Sequence, residues 1–256
     1  MENRIRAALA RGKTVTGMLL FTGSPMIVEM MAAAGVDFVI IDMEHSALDL
    51  DRCAHLIRAA DAAGITPLVR VPEVDAALIK KLLNLGALGI AVPHANRDKC
   101  VAALQAVKYA PEGVRGACPI VRAARYSPPD WNEYAAAANQ RVMVIPLLED
   151  KESLQHFDDL AAMPGLEVFF VGPTDLAVSL GVPGATFDDE RLGAALDTVI
   201  AAARRHGKHV MTTIGNRLDP EYGRTVAKRG VSLVVLGTDG HLFIDAVRRM
   251  NAVKSK

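Results

Sequence analysis

Neither sign of charge is in excess. Lys and Arg together number 29, Asp and Glu together number 29, and the formal net charge at pH 7 is zero. That argues against the basic face that nucleic acid needs and the polybasic segments that anionic membranes attract. A small molecule is the expected partner. Cysteine is scarce: Cys53, Cys100 and Cys118 are the only three. They are too scattered for a disulfide framework or a zinc knuckle, and they read as reduced thiols of a cytoplasmic protein. No apolar run reaches the roughly 18 residues of a membrane-spanning helix. Arg, Asp and Lys interrupt the alanine-rich segments at helical spacing. The opening Met1-Glu2-Asn3-Arg4 has no apolar leader core, so no secretory signal is expected. Also missing is a G-x-G-x-x-G turn after the first apolar run, which ranks a dinucleotide-binding open sheet second among the α/β architectures.

What is present is apolar and alternating. Hydrophobic residues make up 51% of the 256 positions, enough for a sizeable core. Short β-branched runs predict strands at 15–20, 38–42, 67–71, 89–92, 142–148, 168–171, 210–213 and 233–236. Several are apolar throughout, as strands buried on both faces are. Amphipathic stretches between them predict helices at 25–34, 50–63, 76–84, 99–109, 153–162, 190–206, 220–229 and 239–251. Strand and helix alternate eight times, in a length of about 250 residues that suits a closed barrel. The expected fold is therefore α/β: one (β/α)8 TIM barrel over residues 1–256. One connection, residues 110–140, is long and rich in Pro and Gly, with a short helical patch from Asp130. Long loops in compact domains are usually functional, so this one is expected at the site.

In such a barrel the chemistry sits at the C-terminal ends of the strands. Reading those ends gives Asp42-Met43-Glu44-His45, Arg70, Pro93-His94, Glu149-Asp150, Gly172-Pro173-Thr174-Asp175, Gly215-Asn216 and Gly237-Thr238-Asp239. Glu149 and Asp175 on neighbouring strand ends form a candidate pair for Mg²⁺ or Mn²⁺, with room for water and a chelating ligand. The alternative for each is an acid in a helix's first turn, favoured by the helix dipole. Arg70 suits an enolate oxygen or a carboxylate; its alternative is a surface salt bridge. His45, beside Asp42 and Glu44, is a candidate general base, or else a hydrogen-bonded structural histidine. The Gly172–Leu176 turn enters a helix whose free N–H groups could hold a carboxylate, or it is an ordinary capped turn. His94 stays open, His241 reads as structural, and His55, His156, His206 and His209 lie in or beside helices and at a strand start. No strand interior carries a lysine, so a Schiff-base aldolase is not expected, and a metal is the remaining route to a stabilised enolate.

The sequence resembles the HpcH/HpaI family of class II aldolases over almost its whole length. The pieces that carry the resemblance are Ile41-Asp42-Met43-Glu44-His45, Val69-Arg70-Val71-Pro72, Leu85-Gly86-Ala87 with Val92-Pro93, Gly113-Val114-Arg115-Gly116 and Gly172-Pro173-Thr174-Asp175-Leu176. The resemblance implies that Glu149 and Asp175 ligate a divalent cation, Mg²⁺ or Mn²⁺ or Co²⁺, which chelates pyruvate. It implies that Arg70 steadies the enolate, that His45 moves a proton through a metal-bound water, and that the backbone at Thr174 and Asp175, in the substrate-binding turn with Gly172 and Pro173, holds the pyruvate carboxylate. It implies a homo-oligomer, a hexamer built as a trimer of dimers, with a neighbouring subunit closing the site. Arg115, Arg122 and Arg125 are then candidates for a second substrate carboxylate or for that subunit contact. The chain departs from the family in three places. Asn84 stands where many members pair an aspartate with the histidine, Leu147 stands for a glutamine, and Leu19 for a tryptophan. The activity implied is reversible cleavage of a 4-hydroxy-2-oxo acid to a 2-oxo acid and an aldehyde. A CoA-ester lyase of the citrate-lyase type and a silent keto-acid-binding barrel are the alternatives.

Overall fold

The computed structural model describes residues 3–215 and 217–254. Eight parallel strands close on themselves in chain order: β1 (Val15–Leu20), β2 (Phe38–Asp42), β3 (Thr66–Arg70), β4 (Gly89–Val92), β5 (Met143–Leu148), β6 (Val168–Val171), β7 (His209–Thr213) and β8 (Leu233–Thr238). Helices α1 (Arg4–Leu9), α2 (Pro25–Ala33), α3 (Leu50–Ala63), α4 (Ala76–Leu85), α5 (Arg97–Val107) and α6 (Trp131–Arg141) belong to the first half. Helices α7 (Lys151–Gln155), α8 (Phe157–Ala161), α9 (Pro173–Ser179), α10 (Glu190–Arg205), α11 (Pro220–Arg229) and α12 (Asp239–Asn251) belong to the second. The expected barrel is thus present. The run expected as one helix at 153–162 breaks at His156 into α7 and α8. Helix α1 was not anticipated; six residues carry too little periodicity to announce it.

Strand side chains alternate between faces, and here they sort into two cores. Phe38, Ile40, Leu68, Met143, Ile145, Leu147, Val168, Phe170, Met211, Leu233 and Val235 pack inside the barrel. Val39, Ile41, Val69, Ile90, Val144, Phe169, Val171 and Val210 pack outward under the helices. Gly17 shows how full the interior is: a Cβ there would lie 2.1 Å from the Phe38 ring. Helix α1 closes the N-terminal end, adding Ile5 and Leu9 to the inner core. Asn3 Nδ2 donates to the Arg141 carbonyl (2.9 Å) and Arg6 to Glu167 (2.8 Å), tying α1 across that face.

Helices α3 and α4 return the chain to the N-terminal rim. Asp49 and Asp75 accept N–H groups at the starts of α3 and α4, and Gly64 and Gly86, both left-handed, end them. Leu88 N then donates to Pro67 O at the start of β3 (2.9 Å), which fixes where α4 has delivered the chain. The long connection after α5 obeys the same geometry. Eleven helical residues rise about 16 Å, roughly the height of the barrel, so residues 108–130 begin at the N-terminal rim. They stay there: Arg122 donates to Leu85 O (3.0 Å) and to Asp61 (2.5 Å). The expectation that this loop lines the mouth of its own barrel is corrected. Among the described residues no helix is long and apolar enough to cross a membrane.

Candidate active site

The alternation that fills the barrel also selects which polar groups face its mouth. Continuing the inward series 38, 40 reaches Asp42; 68 reaches Arg70; 143, 145, 147 reaches Glu149; 168, 170 reaches Gly172. These positions end the apolar layers, and the side chains that follow converge on a cavity of about 350 Å³. Its walls include His45, Arg70, Glu149, Gly172, Pro173, Thr174, Asp175 and His241, with Leu19, Phe21, Leu147 and Phe170 as an apolar flank.

Asp42 is wholly buried and organises one side. Strands β2 and β3 pair Asp42 with Arg70 in register. The Arg70 Nε donates to Asp42 Oδ2 at 2.5 Å, and Nη2 contacts the same oxygen. The other oxygen, Oδ1, accepts the backbone N–H groups of His45 (2.7 Å) and Glu44 (3.1 Å). One carboxylate therefore fixes both the guanidinium and the turn that presents the imidazole. Glu44 adds a second anion 3.2 Å from Arg70 Nε, and its buried Oε2 accepts no hydrogen bond from the described residues. The His45 ring lies 3.6 Å from that oxygen and keeps 57% of its side chain exposed, open to proton exchange with solvent or ligand.

Glu149 forms the opposite side. Its side chain is almost fully buried. Oε1 accepts the His94 backbone N–H at 2.7 Å, and the His94 Nδ1 lies 3.5 Å away. His94 reaches this position with a left-handed backbone, φ 47°. Burial raises the pKa of Glu149; the His94 amide and imidazole oppose that rise, and the negative charges of Glu44 and Asp175 add to it. Gly172 leaves the carboxylate its space: a Cβ there would come within 3.1 Å of the Glu149 Cβ and 3.2 Å of Oε2. Asp175, in the first turn of α9, is exposed to the same cavity. The first α-helical bond of α9 is Leu176 N to Gly172 O (3.1 Å). The N–H groups of Thr174 and Asp175 precede it and carry the partial positive charge of a helix start.

The donor set suits a hard divalent cation. Two carboxylates border one cavity, and burial, with the negative charges of Glu44 and Asp175 adding to it, makes Glu149 costly to ionise until a positive charge joins it. Among the described residues no three His, Cys, Asp or Glu side chains form a ready cage. A cation held here would take its other ligands from water and a chelating ligand, as Mg²⁺ does.

The structure thus brings together His45, Arg70, Glu149, Gly172, Pro173, Thr174 and Asp175. Three expected site residues are elsewhere. Asn84 lies in the last turn of α4 at the N-terminal rim, where its Oδ1 accepts from Arg115 Nη2 (2.9 Å). Arg115 and Arg122 belong to the connection on that same rim. Within one chain Asn84 cannot orient His45, and neither arginine reaches a ligand in the mouth of this barrel. Asn216, noted at the end of strand seven, lies outside the described residues; Gly215 beside it borders the cavity. In the sequence Asp42 stands out only as a neighbour of His45, although inward parity on β2 identifies it. His241, expected as structural, borders the cavity as well. Asp239 joins the ends of the barrel seam, accepting N–H groups from Phe21 (2.9 Å) and Thr22 (3.0 Å).

The sequence profile described as HpcH/HpaI aldolase/citrate lyase matches residues 16–246. A hydroxypyruvate/pyruvate aldolase of Cupriavidus necator is 30% identical over 256 residues, covering 98% of this chain and 92% of that protein. The crystal structure of an HpcH/HpaI aldolase from Desulfitobacterium hafniense superposes with a TM-score of 0.89 at 28% identity, over 98% of this chain and 96% of that one. That of the citrate synthase SbnG superposes with a TM-score of 0.86 at 32% identity, over 97% and 96%.

Proposed function

We propose, for a chain that belongs to the HpcH/HpaI aldolase/citrate lyase family and is thereby a carbon–carbon lyase, that it reversibly cleaves a 4-hydroxy-2-oxo acid to pyruvate, or a related 2-oxo acid, and an aldehyde. The observation that carries this reading is one cavity walled by a buried, Asp42-anchored Arg70 on one side and the Glu149–Asp175 carboxylates on the other. Glu149 and Asp175 would hold the divalent cation, Mg²⁺ or Mn²⁺. When bound, that cation supplies Lewis-acid polarisation of the 2-oxo group.

The chain's own residues supply the rest. The N–H groups of Thr174 and Asp175 receive the substrate carboxylate at the start of α9. His45 takes the proton of the C4 hydroxyl as the C3–C4 bond breaks. The electron pair of that bond flows to the C2 oxygen, giving an enolate, and the aldehyde leaves. Arg70 donates to the enolate oxygen; its guanidinium is held in place before the charge develops, so little reorganisation is needed. Returning a proton to C3 completes the 2-oxo acid. Leu19, Phe21, Leu147 and Phe170 keep part of the cavity dry, which strengthens these charge contacts. The imidazole carries its proton without Asn84 of its own chain; an amide brought from a second subunit would orient the ring but could not neutralise its cation.

The test is aldol cleavage assayed with added Mg²⁺ or Mn²⁺ and with EDTA. Activity should vanish in EDTA and return with the metal, while Glu149→Ala and Asp175→Ala stay inactive at any metal concentration. Full turnover in EDTA overturns the reading. Exchange of the pyruvate methyl protons in D₂O, followed by NMR, separates this enzyme from a barrel that only binds keto acids, which would show no exchange.

A further inference from the structure

At the end of the barrel away from the reaction, between residues 108–130, α6 and the end of α4, lies a second cavity of about 360 Å³. Arg115, Arg122, Arg125 and Arg141 border it, and Asp61 is the one acid among its walls, a local surplus of three positive charges. Only Arg122 is matched by that acid, at 2.5 Å, with Leu85 O as its second acceptor. Arg115 is 6% exposed yet touches no carboxylate among the described residues. One nitrogen donates to Asn84 Oδ1, the guanidinium lies 4.4 Å from the Tyr109 ring centre, and the buried Nε has no acceptor among the described residues. A buried guanidinium costs several kcal/mol unless an anion joins it. Burial correspondingly pulls the Arg115 pKa below its ordinary value. Among the described residues the Arg141 guanidinium bonds only a carbonyl of its own helix, Ala137 O at 3.1 Å, and lies 5.8 Å from the Tyr134 ring centre. Arg125 sits on a left-handed backbone, φ 52°, at the end of a single 3₁₀ turn, and its side chain makes no ion pair among the described residues.

We propose that this cavity binds a small polyvalent oxyanion, a di- or tricarboxylate or a phosphate, between Arg115, Arg125 and Arg141. Guanidinium groups match both chemistries through paired N–H donors. The volume falls at the small end of metabolite sites, and the Tyr126 and Tyr134 rings border it as flat apolar walls. The anion would meet the unpaired Arg115 charge that Asn84, a neutral amide, leaves uncompensated. The site is independent of the aldolase reading, and either can fail without the other.

Thermal unfolding and calorimetric titration of the full chain would use inorganic phosphate, succinate or citrate as probes, each against chloride at equal ionic strength. The protein, kept in EDTA, would be wild type, Arg70→Ala to weaken anion binding in the mouth, and the double variant R125A/R141A, whose replaced side chains carry no ion pair among the described residues. Saturable stabilisation by phosphate, by the carboxylates or by both, in wild type and Arg70→Ala, is expected; which probes act identifies the ligand class. In R125A/R141A the Kd should rise about tenfold or more. No saturable effect beyond chloride, or unchanged affinity in the double variant, overturns the proposal. It is equally overturned if none of the probes acts and sedimentation shows the double variant dissociating into smaller species, because the cavity would then be a contact between copies of the chain.

Discussion

Arg70 and Glu149 face each other across the mouth, and their surroundings ask opposite things of them. Asp42 meets the Arg70 charge completely, so the guanidinium is rigid before any ligand arrives. Arg70→Ala should lower kcat/KM by on the order of 3 kcal/mol, the scale of losing a preorganised donor to an oxyanion. It also strands Asp42 in the interior, at about 3–5 kcal/mol of stability. Arg70→Lys keeps the charge and should separate the two effects, restoring much of the stability but little of the rate, as urea unfolding and steady-state kinetics would show. Glu149 is the reverse case. An acid whose pKa is raised by the fold is less stable ionised there than in the unfolded chain, so near neutral pH its charge works against folding. Glu149→Gln keeps an acceptor for the His94 N–H and removes the charge. The variant should be inactive, yet in EDTA it should unfold at a higher temperature than wild type, by on the order of 1 kcal/mol in stability. A lower unfolding temperature would show that Glu149 is a structural ion-pair partner and no metal ligand.

Short elements set the positions of these groups. Strand β6 and helix α9 meet at Gly172, and the missing side chain there lets Glu149 stand against the turn that carries Asp175. Gly172→Ala would push a methyl group to within 3.2 Å of the Glu149 carboxylate. The fold should survive, since φ at this position is −87° and any residue adopts it. The carboxylate should shift, and the metal concentration that half-activates the enzyme should rise about tenfold, a cost of about 1.4 kcal/mol. Unaltered metal activation would mean that Glu149 and the α9 turn do not share a ligand. The same scale explains which helices the sequence announces. The amphipathic runs of α3, α11 and α12 are legible from 3.6-residue spacing with clear caps, and their bounds coincide with those expected. Helices α1 and α9 are too short for periodicity, and α7 and α8 share one apolar stripe across the break at His156.

Across the whole barrel, the polar cavity and the apolar closure lie at opposite ends. The mouth has charged groups above an apolar stack; the N-terminal end is stoppered by Ile5 and Leu9 of α1. Ile5 is fully buried, and Ile5→Ala should cost about 2–5 kcal/mol of stability. KM and kcat should stay within about twofold below the unfolding transition, because nothing at the mouth rests on α1. A large change in KM with little loss of stability would show that the two ends are coupled.

The sequence alone determined the barrel and most of its mouth. Eight apolar runs spaced by amphipathic ones admit few architectures, and strand parity projects Arg70, Glu149 and Gly172 onto the inner face at the ends of their runs. Glu149 and Asp175 could be paired on paper because neighbouring strands in chain order are neighbours in the barrel. Only tertiary structure decided that Asp42 holds Arg70 and the His45 turn together, because that bond depends on the register of β2 against β3. Tertiary structure also decided the fate of Asn84, Arg115 and Arg122. Motif order along the chain says nothing about which rim a residue occupies. Helices α4 and α5 each run back the height of the barrel, so residues that follow a site motif closely in sequence can finish at the far end of the molecule.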